Sequence, residues 1–373
     1  LARSGVATMF PQAIGMAAMF DTELVEKAGD ITSTEARAKY NVYTKYDDRD
    51  IYKGLTLWAP NINIFRDPRW GRGHETYGED PFLTAENGKA YVRGLQGDGE
   101  VMKTAACAKH FAVHSGPESI RHEFNAEATQ KDMEETYLPA FEALVKEAKV
   151  ESVMGAYNRV NGEGACASKF LMGKLSEWGF DGYFVSDCWA IRDFHEHHGL
   201  TKNAVESAAL ALTAGCDVNC GCTYVNVLAA LDEGLVTKED IRKACVHLMR
   251  TRIRLGMFDD KTEFDDIPYN IVSCAEHKKV SLECAEKSMV LLKNNGILPL
   301  DKNKVNTIAV IGPNSNSRIV LEGNYNGTAD RYITFLEGIQ NRFEGRVIYA
   351  EGCHLYKQKV SGLAMPGDRY AEA

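Results

Sequence analysis

The chain has 373 residues, of which 45% are hydrophobic and 25% charged, and its formal net charge is -9. This composition is typical of a globular protein with a sizeable core. The acidic balance argues against nucleic acid or an anionic membrane as the main partner, because both attract clusters of Lys and Arg. No apolar run reaches the roughly 18 residues that a membrane-spanning helix needs.

The chain begins with Leu1 rather than Met and stops at Ala373 without a terminating pattern. We therefore expect a fragment that is truncated at both ends. A signal peptide upstream of Leu1 would not be visible, so the compartment has to be inferred indirectly.

The apolar pattern predicts alternating helices and strands. Apolar residues at helical spacing predict a helix from Asp21 to Lys39. The elements predicted after it are a strand near 55–64, a helix at 84–95, a strand at 104–108, a helix at 131–149, a strand near 152, a helix at 168–178, a strand near 183, a helix from 203 and a strand near 212. Such alternation favours an α/β fold with a parallel sheet.

Polar or glycine-rich residues follow nearly every predicted strand. A closed barrel collects such residues at the carboxyl ends of all its strands, whereas an open doubly wound sheet uses mainly its switch point. We therefore favour a (β/α)8-type TIM barrel whose N-terminal part is missing over an open sheet. No GxGxxG or P-loop motif follows a strand, which argues against the common nucleotide-binding functions.

The pattern changes after residue 225, where two amphipathic helices precede a turn-rich connector and a new apolar strand, VNTIAVIGPN. The predicted bounds are a barrel domain at 1–293, a linker at 294–304 and a second domain at 305–373. The second domain is expected to be incomplete, because domains typically have about 100 to 150 residues.

The segment GYFVSDCWAI has an apolar run that ends in Ser186 and Asp187. A buried strand that delivers a carboxylate to its carboxyl end is how barrel enzymes place a catalytic group. A helix N-cap and a metal ligand are the alternatives. Lys109 and His110 follow another apolar strand. Such a pair is suited to hydrogen bonding with a polyhydroxylated ligand, although a lone histidine is more often a buried core group.

Ten cysteines are far fewer than a disulfide-stapled scaffold of this length would hold, so most are expected to be core thiols. Cys216, Cys220 and Cys222 form a tight group, but no second ligand pair stands at zinc-like spacing. Cys188 and Cys220 both follow predicted strands and could form a disulfide; free thiols are the equally weighted alternative.

Five segments resemble, in order and spacing, the motifs of glycoside hydrolase family 3: RDPRWGRGHETYGEDPFL, AKHFAVHSGPE, MGAYNRVNG, GYFVSDCWAI and VLLKNNGILPL. FPQAIG, AGCDVNCGCTY and LEGNYNGT are most similar to the β-xylosidase branch, with β-glucosidases next. The resemblance covers essentially the whole chain. It implies a barrel followed by an α/β sandwich domain, a sugar held between them, and a retaining mechanism through a covalent glycosyl-enzyme.

In that family resemblance Asp187 matches the nucleophile, although Cys188 stands where many members have Trp. The resemblance also implies four residues that bind the terminal sugar, namely Arg72, Lys109, His110 and Tyr157. Trp189 is expected to stack on the apolar face of a sugar, with core packing as the alternative.

Three acidic residues follow Arg72 closely in the sequence: Glu75, Glu79 and Asp80. They are expected to orient the Arg72 guanidinium and to cap the next helix. A retaining enzyme also needs a carboxylic acid about 5 Å from the nucleophile. His114 has the spacing of the acid in the N-acetylglucosaminidase branch, but the Asp-Ser-His that accompanies it there is missing. The resemblance therefore places the acid, a Glu of the second domain, beyond Ala373.

We predict a retaining exo-β-glycosidase that releases terminal β-D-xylose from xylo-oligosaccharides, with α-L-arabinofuranosidase activity as an addition. A β-glucosidase and a noncatalytic carbohydrate-binding relative are the alternatives. The expected partner is an oligosaccharide, with no metal and no cofactor, since two-carboxylate chemistry needs neither. Such substrates predict a periplasmic or extracellular location. The chain alone is expected to turn over poorly.

Overall fold

The computed structural model describes residues 4–114, 116–301, 303–323, 325, 327–353 and 355. The chain divides into two compact units. The larger comprises Phe10–Met289, and the smaller comprises Val290–Ala373 together with Ala2–Met9. Within the described residues, no helix combines the length and the apolar character that crossing a lipid bilayer requires.

The larger unit alternates helices with short strands. Its helices are α1 (Ala13–Ala17), α2 (Thr22–Lys45), α3 (Pro81–Gln96), α4 (Gln130–Asp132), α5 (Pro139–Lys146), α6 (Lys169–Glu177), α7 (Asp193–Glu196), α8 (Ala204–Ala214), α9 (Val227–Asp232), α10 (Lys238–Arg254) and α11 (Ala275–Lys287). Its strands are β1 (Thr56–Leu57), β2 (Ala105–Phe111), β3 (Asn125–Ala126), β4 (Ser152–Gly155), β5 (Arg159–Val160), β6 (Glu163–Gly164) and β7 (Tyr183–Ser186).

A parallel sheet in the order β1-β2-β4-β7 lies at the centre of this unit. Helices lie in each connection between neighbouring strands, as parallel pairing requires. Every residue of β2, β4 and β7 is buried, which is the pattern of a sheet covered on both faces. On the outer side of β7, Val218 forms a parallel bridge with Val185 of that strand. The predicted α/β alternation and parallel sheet are confirmed.

Two predicted elements differ in the structure. The helix predicted at 131–149 consists of α4, a π-helical turn at Met133–Tyr137 and α5, because Pro139 lacks the N–H that would continue the ladder. The strand predicted near Leu212 is wrong. That residue lies in α8, where an alanine-rich run favours helix and Gly215, at φ 108°, ends it.

The smaller unit contains a parallel pair of strands, β8 (Thr307–Ile311) and β9 (Arg346–Ala350), and the helices α12 (Arg318–Glu322) and α13 (Phe335–Arg342). The strand predicted in VNTIAVIGPN corresponds to β8. It was expected to be buried, but Val310 is its one buried residue. The bounds predicted for the linker and the second domain stay predictions.

Helices α2 and α3 pack closely because glycines stand at their crossing. A Cβ added to Gly94 would lie 2.0 Å from the Glu26 carbonyl oxygen and 2.7 Å from the Asp30 nitrogen. Both atoms belong to the backbone of α2, so they cannot rotate away. The Ser33 hydroxyl donates to the Gly94 carbonyl oxygen across the same contact, at 2.9 Å.

Gly94→Ala should therefore lower the free energy of unfolding by about 1 to 3 kcal/mol, since overpacking forces the two helices apart. Gly173→Ala is the matched control. A Cβ at Gly173, inside α6, meets nothing within 4 Å, so that change should raise stability by about 0.5 to 1 kcal/mol. Urea denaturation followed by circular dichroism measures both, and equal effects of the two variants would contradict this account of the crossing.

Candidate active site

Strand β7 places Asp187 at the carboxyl edge of the sheet. Its last residue, Ser186, pairs with Gly155 of β4, and the Asp187 backbone N–H donates to the Gly155 carbonyl oxygen at 3.2 Å. The side chain of Asp187 starts where the strand ends and is 8% exposed. The position agrees with the sequence-based prediction of a carboxylate at the end of a buried strand.

The two oxygens of the Asp187 carboxylate have different surroundings. Oδ1 accepts from the Cys188 backbone N–H at 2.8 Å. Oδ2 is buried and has no hydrogen bond within the described residues, and it lies 3.5 Å from His110 Nε2. Burial raises the pKa of Asp187 above its ordinary value of 3.8, and the charges of Lys109 and Arg72 oppose that rise.

Lys109 and His110 reach the site through an irregularity in β2. Lys109 pairs with Met154, and the next residue of β4, Gly155, pairs with Phe111, so His110 has no partner in β4. His110 is thus the extra residue of a bulge, a feature that redirects side chains beside functional sites. Lys109 is 8% exposed and His110 is 1% exposed. Burial, followed by the Arg72 charge, holds the pKa of His110 well below 6.5, so its imidazole is neutral.

Arg72 is held by Glu75, as the sequence analysis predicted. Its Nε and Nη2 donate to the two Glu75 carboxylate oxygens, both at 2.8 Å. Nη2 also lies 3.2 Å from His110 Nε2. Asp80 caps α3, accepting from the Leu83 N–H at 2.6 Å, so that predicted role is confirmed as well.

Asn63 is a site residue that the sequence analysis missed. Its Oδ1 accepts from the His110 backbone N–H at 2.8 Å and lies 2.9 Å from His110 Nδ1. It stands in the apolar segment NINIF, six residues after Leu57 at the end of β1. A polar residue inside such a segment was the available signal, since a buried amide needs partners.

Tyr157 follows β4 and interacts with Asp187 through its hydroxyl. Burial and the Asp187 charge raise the pKa of Tyr157 well above 10. Two residues missed by the sequence analysis surround its ring: the Arg121 guanidinium lies 5.1 Å from the ring centroid, and the His122 ring packs against it edge-on at 4.8 Å. His122 Nδ1 lies 2.8 Å from Asp193 Oδ2.

Trp189 follows Asp187 by two residues and is 42% exposed. The core-packing alternative is therefore wrong. The backbone of Trp189 has φ 70°. The Trp189 backbone N–H donates to the Cys220 carbonyl oxygen at 2.7 Å. The Arg192 guanidinium lies 5.0 Å from the ring centroid. Of the two alternatives for Cys188 and Cys220, the disulfide is the one present, and it joins the same two loops.

His114 is buried behind His110 rather than available as an acid. Its Nδ1 lies 3.1 Å from Asn158 Oδ1, and burial lowers the pKa of His114 to about 3. Among the described residues, no group of three or more His, Cys, Asp or Glu side chains is arranged to hold a metal ion.

The structure thus brings five of the six predicted residues to one edge of the sheet, with Trp189 beside them: Asp187, Arg72, Lys109, His110 and Tyr157. The arrangement offers a buried carboxylate at the end of a strand, two cations, an imidazole and a phenol. Such a set can attack an electrophilic carbon and bind hydroxyl groups around it.

Asp187→Asn should stabilise the protein near neutral pH. A carboxyl whose pKa is higher in the folded than in the unfolded protein stabilises the fold at pH values below its unfolded pKa. This stabilisation is lost as the pH rises through its folded pKa. The asparagine amide cannot ionise, so the variant does not lose this stability as the pH rises. Each unit by which the folded pKa exceeds the unfolded pKa corresponds to about 1.4 kcal/mol of free energy of unfolding. The melting temperature of the variant should exceed that of the parent at pH 7 and match it near pH 3. An unchanged difference across this pH range would contradict the burial argument.

Comparison with known proteins identifies the family. Residues 1–251 match the glycosyl hydrolase family 3 N terminal domain and residues 289–369 match the C-terminal domain of the same family. A xylan 1,4-beta-xylosidase of Xylanibacter ruminicola is 44% identical over 96% of this chain and 43% of its own length. A beta-xylosidase/alpha-L-arabinofuranosidase of Medicago sativa subsp. varia is 39% identical over 89% of this chain and 44% of its own length.

Two solved structures show the same fold. A family 3 exo-beta-xylosidase in complex with a xylobiose aziridine probe has a TM-score of 0.88 and 36% identity, over 96% of this chain and 47% of that one. A β-glucosidase from Erythrobacter marinus has a TM-score of 0.84 and 32% identity, over 95% of this chain and 46% of that one. The chain therefore spans about half the length of these relatives, and it belongs to glycosyl hydrolase family 3.

Proposed function

We propose that this chain carries the nucleophile of a retaining exo-β-glycosidase that releases terminal β-D-xylose from xylo-oligosaccharides. The observation that carries the proposal is the Asp187 carboxylate, which is buried at the end of β7 near the Tyr157 hydroxyl and whose Oδ2 forms no hydrogen bond of regular geometry within the described residues. A retaining enzyme needs one carboxylate directly below the anomeric carbon. The relatives named β-xylosidases support the choice of sugar.

In the first step Asp187 Oδ2 forms a bond to the anomeric carbon while the bond from that carbon to the leaving oxygen breaks. The leaving oxygen takes a proton from a general acid, and the sugar stays attached to Asp187 as an ester. In the second step water attacks the same carbon, gives up a proton to the base form of the acid, and releases the Asp187 carboxylate.

The surrounding polar groups bind the sugar in this proposal. Lys109 and Arg72 are cationic donors beside Asp187, and His110 and Tyr157 add neutral polar atoms. Contacts of this kind accelerate the reaction only where they tighten as the ring flattens toward an oxocarbenium-like transition state. Trp189, with its exposed ring, is suited to stacking on the apolar face of a sugar.

The general acid is assigned to none of the carboxylates that lie around Asp187. Glu75 accepts two hydrogen bonds from Arg72, and Asp193 is 1% exposed and bound to His122. A leaving group that departs without a proton, such as dinitrophenolate, is therefore the suitable probe of Asp187 itself.

A β-glucosidase is the second candidate, favoured by the TM-score of 0.84 to the Erythrobacter marinus enzyme. The names of the Medicago relatives support arabinofuranosidase activity as an addition. The closed barrel and the sandwich fold of the second domain belong to this proposal too. So does a periplasmic or extracellular location, which the Cys188–Cys220 disulfide supports, because disulfides persist in oxidising compartments.

The test is covalent labelling with 2,4-dinitrophenyl 2-deoxy-2-fluoro-β-xyloside. Intact-mass and peptide mass spectrometry should find one fluoroxylosyl group on Asp187, and Asp187→Ala should abolish it. The control is Asp193→Asn, which alters another buried carboxylate of raised pKa and should leave the label on Asp187. An unlabelled parent chain that still binds xylo-oligosaccharides would instead indicate a noncatalytic binding protein. Faster labelling by the fluoroglucosyl analogue would favour the β-glucosidase.

A further inference from the structure

The hydrogen bonds of Asn63 define which way its amide points. Its Nδ2 donates to the His110 carbonyl oxygen at 2.8 Å and to the Ala112 carbonyl oxygen at 3.1 Å. Carbonyl oxygens only accept, so the amide nitrogen must face them. The remaining atom, Oδ1, therefore faces His110 Nδ1 at 2.9 Å. Asn63 is 1% exposed, so water does not compete for these contacts.

The same logic defines the protonation of His110. Because Asn63 Oδ1 is an acceptor, the hydrogen of the imidazole stands on Nδ1. On the other side of the ring, Arg72 Nη2 lies 3.2 Å from Nε2. A guanidinium only donates, so Nε2 must be an unprotonated acceptor. An imidazolium would place two N–H groups against each other at this contact.

We propose that Asn63 is a positioning residue, which holds His110 in the neutral form protonated at Nδ1 so that Nε2 presents a lone pair to Asp187. This inference rests on the proposed role of Asp187 as the nucleophile. Nε2 lies 3.5 Å from Asp187 Oδ2. A protonated Nε2 at that place would donate a charge-assisted hydrogen bond to Oδ2, which would occupy one of its lone pairs and make the oxygen a weaker nucleophile.

The charges around His110 act in the same direction as Asn63. Burial and nearby cations hold the pKa of His110 well below 6.5. The titratable and charged groups around its ring are Arg72, Lys109, His114, Arg121 and Asp187, with Glu75 behind Arg72. Glu75 is bound to Arg72, so Asp187 is the carboxylate whose charge would draw a proton onto Nε2.

A second pair provides an internal control. Asn158 Oδ1 lies 3.1 Å from His114 Nδ1, and Asn158 Nδ2 donates to the carbonyl oxygens of Val113 and Arg159 at 2.9 and 2.8 Å. The geometry is the same, but the histidine is a different one. Asn158→Asp thus introduces the same chemical change beside His114 instead of His110.

The first test measures His110 directly. In a spectrum that correlates ring protons with nitrogen-15, a protonated and an unprotonated ring nitrogen have clearly separated shifts. The His110 signals are those that disappear in His110→Gln. The unmodified chain should show Nδ1 protonated and Nε2 unprotonated at pH 7. A proton on Nε2, with or without one on Nδ1, would overturn the proposal whatever the activity of the chain.

The second test changes Asn63. In Asn63→Asp a carboxylate replaces the amide beside Nδ1, which should raise the pH midpoint of the His110 signals by about one to three pH units. Labelling of Asp187 by the fluoroxyloside should slow at least tenfold below that midpoint and recover above it. Asn158→Asp should shift the His114 signals while His110 keeps its proton on Nδ1.

Each outcome decides one question. An equal loss of labelling rate at all pH values, or no change, would show that Asn63 does not act through His110 and would overturn the inference. If Asn63→Asp does not fold, the spectrum of the unmodified chain decides by itself. If the unmodified chain shows the expected tautomer but no label on Asp187, the proposed function fails, and with it the purpose assigned to the tautomer.

Discussion

The site depends on one constraint, the burial of the Asp187 carboxylate without a full set of hydrogen bonds. Oδ1 is bound by the Cys188 N–H, whereas Oδ2 has no such bond within the described residues. An unsatisfied buried oxygen costs stability, so the surrounding fold has to supply the difference. Lys109 and Arg72 offset part of the cost by their charge. What remains is a buried oxygen whose cost to stability is only partly offset.

Rigid backbone on both sides of Asp187 makes that arrangement possible. The parallel register of β4 and β7 fixes the strand end, and the Cys188–Cys220 disulfide ties the following loop to the segment after Val218. The bulge in β2 brings Lys109 and His110 to the same edge. These features lie in separate parts of the sequence, and a parallel sheet gathers them because its strands all end on one side.

The sequence predicted the elements with strong periodicity and the residues within the family-like motifs. Asp187 and the role of Glu75 beside Arg72 follow from such patterns. It did not predict Asn63, because a single amide in an apolar segment carries no periodic signal and its partner lies 47 residues away in the chain. The sequence also predicted a strand near Leu212, which lies in a helix. A short segment of alternating Ala and Leu fits a strand and a helix equally well.

Burial, followed by the charges of the site, explains why the pKa values of His110 and His114 are low. Asp187 and Glu75 are two carboxylates beside three cations, Arg72, Lys109 and Arg121. An imidazolium would add a further cation to a region that burial keeps poor in water, and burial penalises each uncompensated charge. In the proposed reaction Asp187 becomes a neutral ester, which increases the excess of positive charge around it. That excess favours an anionic base beside the water that attacks the anomeric carbon, so the charge balance suits the second step.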